Sequence, residues 1–381
     1  MTPAFTAEEA ERYGRHLSLA GFGPERQAKL REATVLVIGA GGLGCPALLY
    51  LAAAGVGTLV VVDSDRVEAS NLQRQVLFGT EDIGRPKALA AAGRLRALNP
   101  LVRVEARVER LARGNVRERV RACDLVVDGS DNFATRYLVN DACVLENRPF
   151  VYGAVQGFEG QASVFNWRGG PTYRCLFPEP PPPGTVPNCA DAGVLGVLPG
   201  LIGLVQATEA IKVLTGIGEP LSGRLWLYDA LSLRTRTVTL AADPRSRDIR
   251  DLPLEGYGET CELPATGGNG RRAGEANGGS SEIDVPGLKA ALEGKSALQV
   301  IDVREDWERK QGAIEPSVHI PLGILERDAA GPLLAGLDPA VPSVVYCAVG
   351  IRSLRAAQVL RERHGFRAAA SLRGGYYAWT H

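Results

Sequence analysis

The sequence has no excess of charge of either sign: 43 Lys plus Arg stand against 43 Asp plus Glu, for a net charge of zero. That balance gives no basic footprint for nucleic acid and no polybasic patch for a membrane surface. Met1 to Ala10 lacks the basic stretch and apolar core of a signal peptide. No apolar run reads as a membrane span, because Leu48–Val62 and Ala192–Leu214 are interrupted by glycine and polar residues. The seven cysteines are dispersed and include no CxxC pair, which argues for free thiols and against a disulfide framework. No internal repeat is found. These absences point to a cytoplasmic globular protein. What is present agrees: 381 residues, 45% hydrophobic and 23% charged, enough for two domains.

The order of elements suggests α/β architecture. Thr34–Ile38 is a short β-branched strand, followed by a Gly-rich turn, an apolar helix from Pro46 to Ala54, and a second strand over Thr58–Asp63. Arg85 to Leu98 reads as a helix, Leu125–Asp128 as a buried strand, Phe133 to Glu146 as a helix and Pro149–Ala154 as a strand. This alternation predicts an open, mostly parallel sheet with helices on both faces. The Pro-rich Glu179–Gly184 segment reads as a stiff crossing, followed by an apolar helix from Ala192 to Leu214. Composition shifts near residue 255. We expect an N-terminal domain over 1–254, a Gly-rich linker over 255–281 and a smaller α/β domain over 282–381. Within the last, Ala297–Asp302 and Ser343–Cys347 read as strands and Arg352–Arg363 as an amphipathic helix.

Gly39-x-Gly41-x-x-Gly44, with Gly42 inside it, sits between strand and helix, where backbone amides can cradle phosphates. On that motif alone the default reading is a nicotinamide- or flavin-dependent oxidoreductase, and Asp63 suits a ribose hydroxyl in either case. Arg74 and Lys87 alter the balance. A bound dinucleotide seldom needs two further cations, whereas a triphosphate losing pyrophosphate does. Asp131, after the strand ending at Asp128, can hold Mg²⁺ against the phosphates. The plainer readings are a surface ion pair for Arg74 and a helix cap for Asp131. Cys347 lies between a strand and a helix, in Tyr346-Cys-Ala-Val-Gly-Ile-Arg-Ser353. Such a loop forms an anion-binding nest, and the four residues between Cys347 and Arg352 suit a persulfide sulfur better than a phosphate. A buried core cysteine is the plainer reading there, and also for Cys189.

Two resemblances sharpen this. Arg12-Tyr-Gly-Arg-His16, Val37–Gly44, Asn71-Leu-Gln-Arg-Gln75, Gly84-Arg-Pro-Lys87, Asp128-Gly-Ser-Asp-Asn132 and Cys189-Ala-Asp-Ala-Gly193 are similar to motifs of the MoeB/ThiF adenylyltransferases, relatives of ubiquitin-activating enzymes. That resemblance runs from about Tyr13 to Arg236. It implies a Rossmann-like adenylation domain that uses ATP and Mg²⁺ to adenylate the C-terminal glycine of a ubiquitin-like sulfur-carrier protein. It implies that Asp63 holds the ribose, Arg74 and Lys87 the phosphates, and Asp131 the metal. Asn71, Gln75 and Asn132 would line the pocket. Arg15 would reach into a neighbouring subunit's site, implying a homodimer, and Cys189 would match a crossover-loop cysteine with a transfer role.

The C-terminal hundred residues resemble a rhodanese domain through Ile301-Asp-Val-Arg-Glu305, His319-Ile-Pro-Leu322, the Cys347 loop and Leu372–Trp379. That implies a Cys347 persulfide loaded by a persulfide donor, with Asp302 and Arg304 as structural braces. The Gly312–Ser317 segment departs from the usual rhodanese pattern. Most MoeB/ThiF relatives also carry two CxxC pairs on a structural zinc. Here Thr172-Tyr-Arg-Cys175 keeps one thiol, and Arg245–Ile249 has none where the second pair belongs, so no structural zinc is expected. The carrier and its pathway (molybdopterin, thiamine, cysteine or tRNA thiolation) stay open. A non-catalytic scaffold that docks a carrier is the remaining alternative.

Overall fold

The computed structural model describes residues 3–180, 193–253, 257, 282–294, 297–327, 331–348 and 350–380. They divide into two units, Met1–Ala265 and Thr266–His381. Apart from Tyr257, the expected linker lies outside the described residues. Tyr257 itself belongs to the first unit: it stacks on Tyr137 and donates to Asp141.

The first unit is built on an eight-stranded sheet. Its strands are β1 (Thr34–Ile38), β2 (Thr58–Val62), β3 (Arg103–Arg107), β4 (Leu125–Asp128), β5 (Phe150–Gln156), β6 (Glu159–Phe165), β7 (Arg224–Asp229) and β8 (Arg234–Thr239). The order is β3-β2-β1-β4-β5-β6-β7-β8. β1 to β5 run parallel, as the alternating pattern predicts. β6 to β8 are added antiparallel, and these three strands were not foreseen. β1 and β4 are neighbours, with β2 beyond one and β5 beyond the other. Their carboxyl ends therefore open the crevice where an α/β sheet takes its ligand.

β1 and β4 bury almost every side chain, so they read as continuous apolar runs with no alternation. The helix Gly44–Ala54 is held by an apolar face and ends at Gly55, whose φ of +84° suits glycine. The helix Val197–Thr215 is long and apolar enough to cross a membrane by length and composition, contrary to the expectation that no run would be. Its apolarity has another use. Leu198, Ile202, Ala207, Ala210 and Val213 are buried within the unit's apolar clusters.

The second unit carries β9 (Glu282–Ile283), β10 (Gln299–Asp302), β11 (Val318–His319), β12 (Ser343–Tyr346) and β13 (Ala369–Leu372). The order is β11-β10-β12-β13-β9, all parallel. The helix Ile351–Arg363 buries Ala356, Ala357, Val359 and Leu360 with Val345 and Ile301. The Cys347 loop leaves the carboxyl end of β12 at the middle of this sheet.

Candidate active site in each unit

In the first unit the turn after β1 is shaped by backbone contact. Gly39 has φ +82° and donates its N–H to Val62 O at 2.8 Å. A Cβ on Gly44 would lie 1.8 Å from Gly39 O, and one on Gly129 would lie 2.9 Å from Ile38 O. The turn after β1 and the turn after β4 thus press together, and neither position tolerates a side chain. Gly41 differs: the nearest atom to a Cβ there is Gly129 O, at 4.0 Å. That leaves open space beside the amides that begin the helix Gly44–Ala54, where a phosphate would fit.

Asp63, at the end of β2, is buried. Its Oδ2 accepts the Ala40 amide and its Oδ1 the Asp65 amide, each at 2.8 Å. Burial pushes its carboxyl up, with the Lys87 ammonium and the two amides opposing. Lys87 is buried and donates to Asp65 Oδ2 at 2.9 Å. Arg74 donates to Ser70 O at 3.0 Å, and its Cδ lies 3.5 Å from where a Gly42 Cβ would be. Arg74 and Asp63 therefore border the Gly-rich turn, and Lys87 reaches it through Asp63, on which its charge acts. Asn71 is buried and braces the same segment, its Oδ1 accepting the Glu68 amide at 3.2 Å. Gln75 is buried close by in sequence, and its Oε1 has no hydrogen-bond partner.

The turn after β4 separates three carboxamide and carboxylate roles. Asn132 caps the helix Phe133–Leu145, accepting the Thr135 amide at 2.8 Å. The cap considered for Asp131 thus belongs to its neighbour, and Asp131 is left exposed in the turn that presses, through Gly129, against the Gly-rich turn. Asp128 is fully buried. One oxygen accepts the Ser130 amide at 2.9 Å, and the other stands 3.9 Å from Arg136 Nε. Burial pushes its carboxyl up, opposed by Arg136. Sequence reasoning missed Arg136, and also Gln206, whose Nε2 donates to Asp128 O at 2.6 Å from the helix Val197–Thr215. Arg136 is signalled only as a polar residue on a helix that otherwise reads as core, whereas Gln206 opens Gln206-Ala-Thr-Glu-Ala-Ile-Lys212, a further stretch similar to the MoeB/ThiF motifs.

Arg15 is exposed on the short helix Gly14–Leu17, while its neighbours Tyr13 and His16 are tied into the unit through Asn99 and Gln27. No described contact joins Arg15 to the Gly-rich turn. Cys189 lies outside the described residues.

At the family's zinc position the residues do not suit the metal. Thr172 and Cys175 face Asp243 and Ser246. That is one thiol, one carboxylate already held by Arg245, and two hydroxyls. Among the described residues no group of three or more His, Cys, Asp or Glu could hold a metal ion.

In the second unit Cys347 is fully buried, and its Sγ accepts the Gly350 amide at 3.1 Å. Gly350, with φ +101°, turns the loop into the helix Ile351–Arg363. A Cβ on Gly375 would lie 2.4 Å from Cys347 O, so the loop is closed from behind by the backbone after β13. Asp302 and Arg304 form a buried two-point pair at 3.0 and 2.9 Å. Tyr346 donates to Asp302 Oδ2 at 2.8 Å, and Arg304 donates to Gly312 O at 2.7 Å. The atypical Gly312–Ser317 segment is thereby pinned to the residue preceding Cys347, with the Ile314 amide on Tyr346 Oη at 3.1 Å.

Comparison with known proteins agrees with this geometry. Residues 13–248 match the ThiF family and residues 285–381 match the rhodanese-like domain. The chain is 46% identical over 382 residues to the probable adenylyltransferase/sulfurtransferase MoeZ of Mycobacterium tuberculosis, covering 99% of this chain and 94% of that one. It is 57% identical over 256 residues to a sulfur carrier protein adenylyltransferase of Thermus thermophilus, covering 66% of this chain and 94% of that one. A crystal structure of E. coli MccB with ATP superposes with a TM-score of 0.55 at 20% identity, over 63% of this chain and 73% of that one, which supports the fold alone. The chain belongs to the ThiF family and joins that adenylation domain to a C-terminal rhodanese-like domain.

Proposed function

We propose that the chain adenylates the C-terminal glycine of a ubiquitin-like sulfur carrier and then converts that carboxylate to a thiocarboxylate. The observation that carries this reading is the pairing of a Gly-rich phosphate cradle bordered by Arg74 and, through Asp63, by Lys87 with a buried, amide-bound Cys347 loop in the same chain. The names of the MoeZ and sulfur-carrier relatives support it.

In the first step a carboxylate oxygen of the carrier attacks the α-phosphorus of ATP, and pyrophosphate leaves. Arg74 and Lys87 stabilise the charge that collects on the leaving group. Asp63 orients the ribose, and Asn71, Gln75 and Asn132 border the nucleotide. Asp131, exposed in the turn after β4, would serve as a Mg²⁺ ligand; the metal, when bound, would offset phosphate charge. Arg15, exposed on its short helix, would complete the site of a second copy, in a homodimer as the working unit. In the second step the terminal sulfur of a Cys347 persulfide displaces AMP from the acyl carbon. A thiol, for which we assign Cys189, splits the acyl disulfide. The carrier leaves as thiocarboxylate, and an external thiol reduces the disulfide left behind. ATP supply and a reducing thiol pool suit a cytoplasmic setting.

The test is ATP–pyrophosphate exchange by the pure protein with a carrier ending in Gly-Gly. Exchange that depends on the carrier and ignores nicotinamide nucleotides supports the reading. A nicotinamide-dependent redox reaction without exchange would replace it with the oxidoreductase, and neither activity would leave the docking scaffold.

A further inference from the structure

The sulfur loop has one cation, Arg352, and that cation is already engaged. Glu308 lies on the short helix Asp306–Arg309, ahead of the loop in sequence and on a different element. Its two oxygens accept both Arg352 Nη atoms, at 2.6 and 2.7 Å. The Glu305 amide adds a third donor to the same carboxylate at 2.9 Å. Both partners are well shielded, with side chains 11% and 22% exposed. A two-point guanidinium–carboxylate pair in such a place is strong and fixes both groups. Glu305 adds further negative charge on the same turn, acting on Arg352.

Without its partner, Arg352 would attract an anionic sulfur donor to Cys347. With it, the loop presents amide donors but little net positive charge. The consequence falls unequally on possible donors. Thiosulfate arrives as a dianion: the Cys347 thiolate attacks its outer sulfur, the S–S bond breaks, and sulfite leaves with the electron pair. A hydropersulfide group carries one charge at most: the Cys347 thiolate attacks the terminal sulfur of its protonated form, the S–S bond breaks, and a thiolate leaves. Both steps load the same persulfide on Cys347 and need no outside oxidant. Only the first brings a dianion, on which an unmasked Arg352 would act most strongly.

We propose that Glu308 is a selectivity-determining residue of the sulfur site, masking Arg352 so that Cys347 favours persulfide donors over small dianionic ones. This rests on the reading of Cys347 as the sulfur carrier.

The experiment measures thiocyanate formation by the full chain, with cyanide as acceptor and either thiosulfate or cysteine hydropersulfide as donor. Glu308→Gln keeps the shape and removes the charge. We expect the KM for thiosulfate to fall about tenfold, the equivalent of ~1.4 kcal/mol of donor binding. The KM for cysteine hydropersulfide should move by less than about twofold, which a purely structural role would not produce. In an Arg352→Gln background the same change should leave the thiosulfate KM unaltered, because the two residues act as one unit. Glu308→Asp keeps the charge, and its thiosulfate KM should stay within about twofold of wild type. An unchanged thiosulfate KM in Glu308→Gln, an equal shift for both donors, or persistence of the effect without Arg352 would each overturn the proposal. Cys347→Ala is the separate control: thiocyanate still formed by that variant would remove the carrier reading itself and leave the Glu308–Arg352 pair a structural brace.

Discussion

Cys175 Sγ accepts the Asp243 amide at 3.3 Å, tying together two segments 68 residues apart, and donates to Ser246 Oγ at 3.2 Å. The Thr172 amide is a further donor to the sulfur, at 3.3 Å. Burial raises the thiol, but its hydrogen bond with Ser246 and those it accepts from the Asp243 and Thr172 amides outweigh this and hold Cys175 below its ordinary value. A junction that relatives make with zinc is here closed by hydrogen bonds. Elemental analysis should find no stoichiometric zinc, and a chelator should leave the melting temperature unchanged. Cys175→Ala should cost about 1 kcal/mol in thermal unfolding, the worth of an ordinary hydrogen bond. One tightly held zinc per chain would overturn the assignment.

Asp131→Ala should lower carrier-dependent ATP–pyrophosphate exchange by about 100-fold or more, the usual scale for losing one electrostatic stabiliser of a transition state. Because the side chain is exposed and caps no helix, the variant should melt with the wild type. Near-normal exchange would remove Asp131 from the phosphate site.

Arg15 and Asp131 can be tested together. If each site takes Asp131 from one subunit and Arg15 from the other, each single variant is inactive alone. Unfolded and refolded together in equal amounts, Arg15→Ala and Asp131→Ala chains should recover about a quarter of wild-type exchange, from the one intact site of each mixed dimer. No recovery would mean that Arg15 does not act across subunits.

The two candidate thiols should separate by product. Cys347→Ala should keep adenylate formation and lose thiocarboxylate when thiosulfate is the donor. Cys189→Ala should keep both adenylation and loading of Cys347, and slow the step in which the two activities meet, release of the carrier as thiocarboxylate. Excess free sulfide, which attacks the adenylate directly, should rescue both. Carrier mass reports the exchange of oxygen for sulfur. Normal product from either variant would demote that cysteine to packing.

Asp302 gives a pH dependence. Burial raises its carboxyl, but hydrogen bonds from Arg304 and Tyr346 outweigh this and hold it below the usual aspartate value. The unfolded chain therefore takes up this proton at higher pH than the folded one. The stabilisation is complete above the usual aspartate range and is lost as pH falls through the folded value. Calorimetry of the full chain should show the second unit's transition weakening below about pH 4. Asp302→Asn should lower that transition by about 3 kcal/mol, since it strands the Arg304 charge, and should flatten its acid dependence. An unchanged acid profile would show that other groups control it.

The parallel half of the first sheet was legible because its strands are buried on both faces. Thr34–Ile38 and Leu125–Asp128 have the bounds read from their β-branched runs. The antiparallel half was not. β8 is exposed along its whole length, so Arg234–Thr239 carries no apolar period to betray a strand. The motifs placed Asp63, Arg74 and Lys87 at the Gly-rich turn, but sequence could not assign the cap to Asn132 or show that Asp128 is buried with Arg136. Spacing identifies which residues share a turn, whereas their partners depend on which helix later covers it. The Glu308–Arg352 pair joins residues 44 positions apart and has no local signature.

β9 is the first strand of its sheet to be synthesised, yet among the described residues its one neighbour is β13, the last. On the ribosome the adenylation sheet is complete once β8 has emerged, and it can fold while the rest of the chain is still being made. The sulfur unit has to wait, because its opening strand has no neighbour until Ala369–Leu372 leaves the exit tunnel. A premature stop before Ala369 should therefore yield a nucleotide-binding fragment with an unpaired trailing strand, and translation errors late in the message should impair sulfur delivery selectively.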